Sequence, residues 1–212
     1  MPTKVDLKKS LDAYQAKRGQ FRILEVPEQQ FLMIDGHGDP NTSPEYTSAL
    51  ETLYPLAYTL KFLSKRTLDR DYVVMPLEGL WWADDMTMFT SARDKSQWDW
   101  TMMILQPDWL GPDEFAAARD QLVRKGAPER LDEVRWGTLR EGRCVQTLHV
   151  GSYDDETPVL EELHDTFIPE HGLRMAGIHH EIYLSDARKV APEKLRTILR
   201  QPVAEVSPVG EA

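Results

Sequence analysis

The strongest constraint on this chain is that its two halves run through the same series of signals. The first half has a short apolar run, Phe31 to Ile34, then a turn at Gly36-His37-Gly38. A helix start follows at Ser43-Pro44, a serine N-cap with proline in the first turn. Tyr46, Leu50, Leu53, Ala57 and Leu60 then recur at helical spacing, before a strand-like run, Met75 to Trp82, with Glu78 in its middle. The second half repeats the order. Arg143 to Val150 leads to a turn at Gly151, Thr157-Pro158 opens a helix with Leu160, Leu163 and Phe167 inward, and His179 to Asp186 carries Glu181. Glu28 matches Glu141, Gly38 matches Gly151, Pro44 matches Pro158 and Glu78 matches Glu181, although residue identity is weak and no short solenoid repeat is present. The shared order implies a duplicated α+β chain. Its two copies are expected to pack about a pseudo-twofold axis with a cleft between their sheets.

The remaining elements fit around this plan. Residues 6–18 read as a short helix with Leu7, Leu11 and Tyr14 on one face, and Arg22 to Glu25 as a brief strand. The first long helix is expected to kink near Tyr54, because Pro55 lies inside it, and to finish around Ser64. Tyr72 to Trp82, a segment beginning near Met86, and Gln97 to Gln106 read as strands; in the last, Trp98, Trp100 and Met102 are expected to project together. Pro112 to Lys125 is a helix stopped by Gly126, bridging the halves. Trp136 to Leu139 and Met175 to Ser185 complete the strands, residues 192–200 fit a short helix or a closing strand, and the tail after Gln201 is expected to be loose. The organisation is one domain over residues 1–212, with a first module at 20–106, a bridging helix at 107–130 and a second module at 131–205.

The net charge of −10 argues against direct nucleic-acid binding and weakly favours a cationic or neutral ligand. With one cysteine there is no intrachain disulfide, and Cys144, in a strand-like run without a charged activator beside it, reads as a packed thiol. No run approaches the roughly 20 apolar residues that span a bilayer, and the first residues resemble no export signal. A cytoplasmic protein without membrane association is expected; the sequence is silent on oligomeric state.

The chemistry-bearing residues are carboxylates and aromatics. If Ile182 and Leu184 face the helix, Glu181 and Tyr183 share the opposite face, and the same parity groups Glu78, Leu80 and Trp82. A lone strand glutamate is more often plain solvent-facing, and tryptophans often pack in cores. Yet Trp82, Trp98, Trp100 and Tyr183 on open sheet faces would form an apolar patch that monomers seldom expose. A carboxylate among aromatic rings suits a planar or cationic ligand. Adjacent His179 and His180 point to opposite faces, and no metal-ligand spacing, dinucleotide fingerprint or phosphate loop is present, so neither metal nor cofactor is expected. Met102 extends the aromatic wall, and His37 and Tyr153, in the two glycine turns, flank it.

The run Phe31 to Asn41, together with Pro76-Leu77-Glu78-Gly79-Leu80-Trp81-Trp82, Trp98 to Met103 and His180 to Asp186, resembles the GyrI-like small-molecule-binding family. The resemblance implies two strand–helix–strand–strand modules of the SHS2 type, with antiparallel sheets flanking a central ligand groove. It implies a pocket glutamate at Glu181, with Glu78 as its counterpart. The family includes effector domains of multidrug-sensing regulators, gyrase-inhibitor proteins, and stand-alone hydrolases of cyclopropane-bearing alkylating compounds. The tryptophan-rich strands fit the hydrolase branch, and no basic helix-turn-helix segment accompanies them. The expected activity is detoxifying hydrolysis, with Glu181 or Glu78 as base, Tyr183 as hydrogen-bond donor, and Trp82, Trp98 and Trp100 stacking on the ligand. The alternatives are a non-catalytic binder or sensor and a gyrase-inhibitor-like interaction protein.

Overall fold

The computed structural model describes residues 3–83 and 94–206; the strand expected near Met86 lies outside them. The chain divides into two compact units. One comprises Met1–Asp12 with Glu28–Leu139, the other Ala13–Pro27 with Arg140–Ala212. The short helix expected over 6–18 is two pieces, α1 (Leu7–Ser10) and a 3-10 turn (Asp12–Tyr14). It breaks because Leu11 is extended, while the Ser10 hydroxyl donates to the Leu7 carbonyl.

The sheet of the first unit has the order β3-β4-β2-β5, all antiparallel: β2 (Gln29–His37), β3 (Leu77–Trp82), β4 (Asp99–Gln106) and β5 (Arg135–Leu139). β3 begins later than the expected Tyr72, since Pro76 has no N–H to extend the ladder; Tyr72 makes only an isolated bridge to Val5. α2 (Pro44–Thr67) starts as expected, with the Ser43 hydroxyl accepting from the Tyr46 N–H, and runs through Pro55 and past Ser64. α3 (Pro112–Val123) packs against α2, and Gly126, at φ 94°, follows it. Across the ladders, Trp81, Trp100 and Gly36 stand opposite one another, as do Gly79 and Met102. Tyr46 of α2 meets Trp81 at 6.4 Å and Trp100 at 5.4 Å, so this is the helix-covered face. The Trp100 ring lies directly over Gly36, and its Nε1–H donates to the Gly38 carbonyl. A methyl group at Gly36 overlaps that ring. Gly36→Ala is expected to cost about 1–3 kcal/mol through overpacking, read as a lower urea midpoint at unchanged slope. An unchanged midpoint would show that the ring can move aside freely.

The second unit repeats the plan. Its sheet has the order β1-β6-β9-β8: β1 (Arg22–Val26), β6 (Gly142–Val150), β8 (His179–Tyr183) and β9 (Arg196–Glu205), with β7 (Leu173–Met175) pairing the end of β9. The strand expected over 175–185 is thus split into β7 and β8, with Gly177 at φ 64° between them. Residues 192–200 resolve into a 3-10 turn and then strand. Of the tail expected to be loose after Gln201, residues 202–205 complete β9, with Pro202 and Val203 buried, and residues 207–212 lie outside the described residues. The helical segment consists of α4 (Thr157–Glu161), a π-helical stretch (Glu162–Phe167) and α5 (Ile168–Glu170). Leu163 and Ile168 pack on Val145 and Val203. β1 pairs with β6, and β5 with β2. Each sheet therefore takes its outer strand from the segment preceding the other half's repeat.

The opposite face of the second sheet carries a buried ionic network. The Arg200 Nη1–H donates to Glu141 Oε2 at 2.6 Å, Nε–H to Gln146 Oε1 at 3.0 Å, and Nη2–H to the Ala13 carbonyl at 2.6 Å. His180 Nδ1 lies 3.0 Å from Glu141 Oε1. Burial pushes the Glu141 carboxyl up, but the charges and hydrogen bonds of His180 and Arg200 outweigh it and hold the group down at about 2. Its ordinary value is 4.5, so the network's contribution is complete above about pH 4.5 and is lost as pH falls toward 2. Denaturant unfolding is expected to show stability dropping from about pH 4.5 down toward about pH 2, with a shallower drop in Glu141→Gln. Equal slopes would remove Glu141 as the source. Cys144, on the same face, is fully buried, and burial together with Glu141's charge pushes its thiol up to about 12, as befits a packed residue.

Candidate functional site

The ladder registers decide which candidate residues share a surface. In the first unit Glu78 stands opposite Met103, Leu80 opposite Thr101 and Trp82 opposite Asp99, which also faces His37. Directly opposed antiparallel residues share a face. Glu78, Leu80, Trp82 and His37 therefore lie on the face away from α2. Glu78 is fully buried, Trp82 is half-buried, and His37 Nδ1 is 2.8 Å from Asp99 Oδ1. Trp100 and Met102 do not join them. Both are completely buried on the helix-covered face, and Trp98, which precedes β4, lies edge-on to Trp81 at 5.7 Å on that side. The expected common projection with Glu78 fails because both faces of this sheet are apolar, so alternation alone does not reveal which one the helix covers.

In the second unit the registers put His179, Glu181 and Tyr183 on the same face as Val145 and Gln201. That face is the one covered by Leu163 and Ile168 of the helical segment. The expectation that Ile182 faces the helix and Glu181 turns away is reversed. Ile182, Ile198, Leu148 and Leu24 are buried on the other side, beside the Arg200 network. Tyr183 O–H donates to Glu181 Oε2 at 2.7 Å, and Tyr153 meets the Tyr183 ring edge-on at 5.6 Å. The Glu181 side chain keeps 15% of its surface accessible. Glu181, Tyr183 and Tyr153 are thus linked in series: a carboxylate with one oxygen engaged by a phenol, whose ring packs on a second phenol ring.

The expected pairing of Glu78 with Glu181 is also revised. Glu28 and Glu141, Gly38 and Gly151, and Arg22 and Arg135 share one numbering offset, which pairs Met33 with Gln146. Met33 leads across the ladder through Met103 to Glu78, and Gln146 leads through Arg200 to His180. His180 is therefore the positional counterpart of Glu78, and Glu181 occupies the place of Gly79.

Two residues emerge that the sequence reading passed over. His179 Nε2 lies 3.6 Å from Glu181 Oε1, and the His164 ring meets His179 edge-on at 5.8 Å. Burial, with the charge of His179 next, lowers His164 to about 4. The missed signal was the spacing His179, Glu181, Tyr183, which places all three on one strand face. Among the described residues, no group of three or more His, Cys, Asp or Glu side chains is placed to hold a metal ion, and no helix is long and apolar enough to cross a membrane.

Known proteins place this arrangement in context. No protein of curated function matches the sequence. The chain is similar to an uncharacterised conserved protein from Listeria innocua, at 39% identity and TM-score 0.86, covering 95% of this chain and all of that one. It is also similar to a hydrolase from Listeria innocua, at 38% identity and TM-score 0.82 with the same coverage. The C-terminal domain of EcmrR shares the fold alone, at 12% identity and TM-score 0.53 over 88% of this chain and 98% of that one. A GyrI-like small-molecule-binding domain matches residues 19–204. With that match spanning nearly the whole chain, this protein belongs to the GyrI-like family of small-molecule-binding domains.

Proposed function

We propose that this protein is a small-molecule hydrolase that opens strained, electrophilic rings on flat aromatic compounds by adding water. The observation that carries the reading is the Glu181–Tyr183 hydrogen bond at 2.7 Å, half-buried beside Tyr153. The similarity to Listeria innocua proteins described as hydrolases supports the reaction class. In a cyclopropane joined to a conjugated carbonyl, water oxygen bonds to a ring carbon and the strained carbon–carbon bond breaks. The released electron pair moves to the carbonyl oxygen. Glu181 takes the proton from water, and the oxyanion regains one proton, so the sum is one water added with no redox change. A carboxylate in a partly apolar site is a suitable base, and once Glu181 has taken the water proton the Tyr183 O–H is released to turn and donate to the oxyanion. Tyr153 and Tyr183 supply aromatic surface for a flat ligand. The net charge of −10 favours neutral or cationic compounds.

The test is incubation of the protein with a cyclopropane-fused dienone in isotopically labelled water, followed by mass spectrometry. A product heavier by one labelled water is the expected result. Recovery of intact compound from a saturated complex would instead identify a binding or sensing protein.

A further inference from the structure

We infer that His179 is the positioning residue for Glu181, held in place by His164; this rests on Glu181 being the reactive carboxylate. The two oxygens of Glu181 are not equivalent. Oε2 accepts from Tyr183, whereas Oε1 has His179 Nε2 at 3.6 Å, just outside hydrogen-bond range. His179 keeps only 10% of its side-chain surface, and neither ring nitrogen has a hydrogen-bond partner. A buried polar atom without a partner is costly, and such atoms mark sites where another demand has overridden packing.

Among the described residues, polar groups face His179 from three elements. On β9, one residue past the Arg200 that pairs with His180, stands Gln201, an uncharged residue whose Nε2 already donates to the Ala176 and Pro202 carbonyls. From the helical segment it meets His164, whose Nε2 is also without a partner. On its own strand it meets Glu181. A ring shift of roughly half an ångström brings Nε2 into bonding range of Oε1. His164 stands in the π-helical turn Glu162–Phe167, where the extra residue displaces side chains from ordinary helical positions. Its ring packs edge-on against His179, 5.8 Å between centroids at 88°.

Closing that gap fixes the Glu181 carboxylate plane between two donors, the Tyr183 hydroxyl and the His179 Nε2–H. Each oxygen retains a second lone pair, so the carboxylate still has a place for a proton from water. His179 acts through Glu181.

Ring nitrogen NMR of the ligand-free protein, with Glu181→Gln as comparison, tests the contact without any substrate. In the wild type, the His179 Nε2–H is expected to resonate downfield and exchange slowly, and in Glu181→Gln both properties are expected to weaken. Identical His179 signals in the two proteins overturn the proposal. The second arm is turnover of the cyclopropane-fused dienone. His179→Phe is expected to lower kcat about 10- to 100-fold with KM little changed, and His179→Gln, which keeps an N–H, to recover most of the loss. Equal loss in both variants, or a loss confined to KM, also overturns it. An NMR coupling with no turnover by the wild type leaves the His179–Glu181 contact standing and removes the hydrolase reading instead.

Discussion

Arg200→Leu is expected to destabilise the protein by about 3–5 kcal/mol, because it strands a buried carboxylate. The Arg200 side chain is 1% accessible and that of Glu141 3%, so bulk water does not screen the pair. Removing the guanidinium takes away three donated bonds together, to Glu141, to Gln146 and to the Ala13 carbonyl, and leaves Glu141 only His180. Its cost should exceed that of removing both charges. Arg200→Leu combined with Glu141→Leu replaces the network with apolar volume and is expected to recover a large part of the loss, since paired burial gains little over good packing. Urea denaturation of the two single variants and the double variant measures this directly. A double variant as unstable as the sum of the singles would show that the residues act independently.

The second large effect concerns turnover. Glu181→Gln keeps the shape of the side chain and its ability to accept from Tyr183, but it takes no proton from water. The loss in kcat is expected to be about 10²- to 10⁴-fold. Tyr183→Phe leaves the carboxylate intact and is expected to lose less, through the oxyanion and through a carboxylate freed to rotate. Steady-state rates with the cyclopropane-fused dienone separate these cases, and unfolding midpoints close to wild type exclude a general loss of structure. Full activity in Glu181→Gln would move the base elsewhere, with Glu78 as the next candidate.

The sequence was most readable where backbone chemistry is local. Gly38, Ser43-Pro44 and Gly126 marked real boundaries, because caps and left-handed turns demand particular residues whatever surrounds them, whereas Gly36 and His37, expected in the turn, still belong to β2. The duplication was legible for the same reason, since it is carried by turns and helix starts. Long-range pairing was harder to read. Residues 192–200 read equally as a short helix or a closing strand, and the chain after Gln201 as loose, yet Arg196–Glu205 is one strand, β9, paired on both sides. What makes Arg200 acceptable there is Glu141, remote in sequence, and nothing local announces that partner. Facing was lost in both units. Where each side of a sheet is covered, hydrophobic alternation carries no sign, and the choice between Ile182 and Glu181 as the helix-facing residue falls to tertiary packing. His164 was hidden by a π-turn, which shifts the helical phase by one residue within a single helix.

The exchange of outer strands has a consequence for how the chain is made. β1 emerges early in synthesis but pairs only with β6, and β2 waits for β5, formed after two helices have been laid down. Through most of translation, then, each sheet has one edge without its partner strand, the circumstance in which nascent chains pair with the wrong neighbour. The exchange also ties the copies genetically. Neither half of the coding sequence specifies a complete sheet, so after the duplication neither could be lost, shuffled or borrowed as a module by itself.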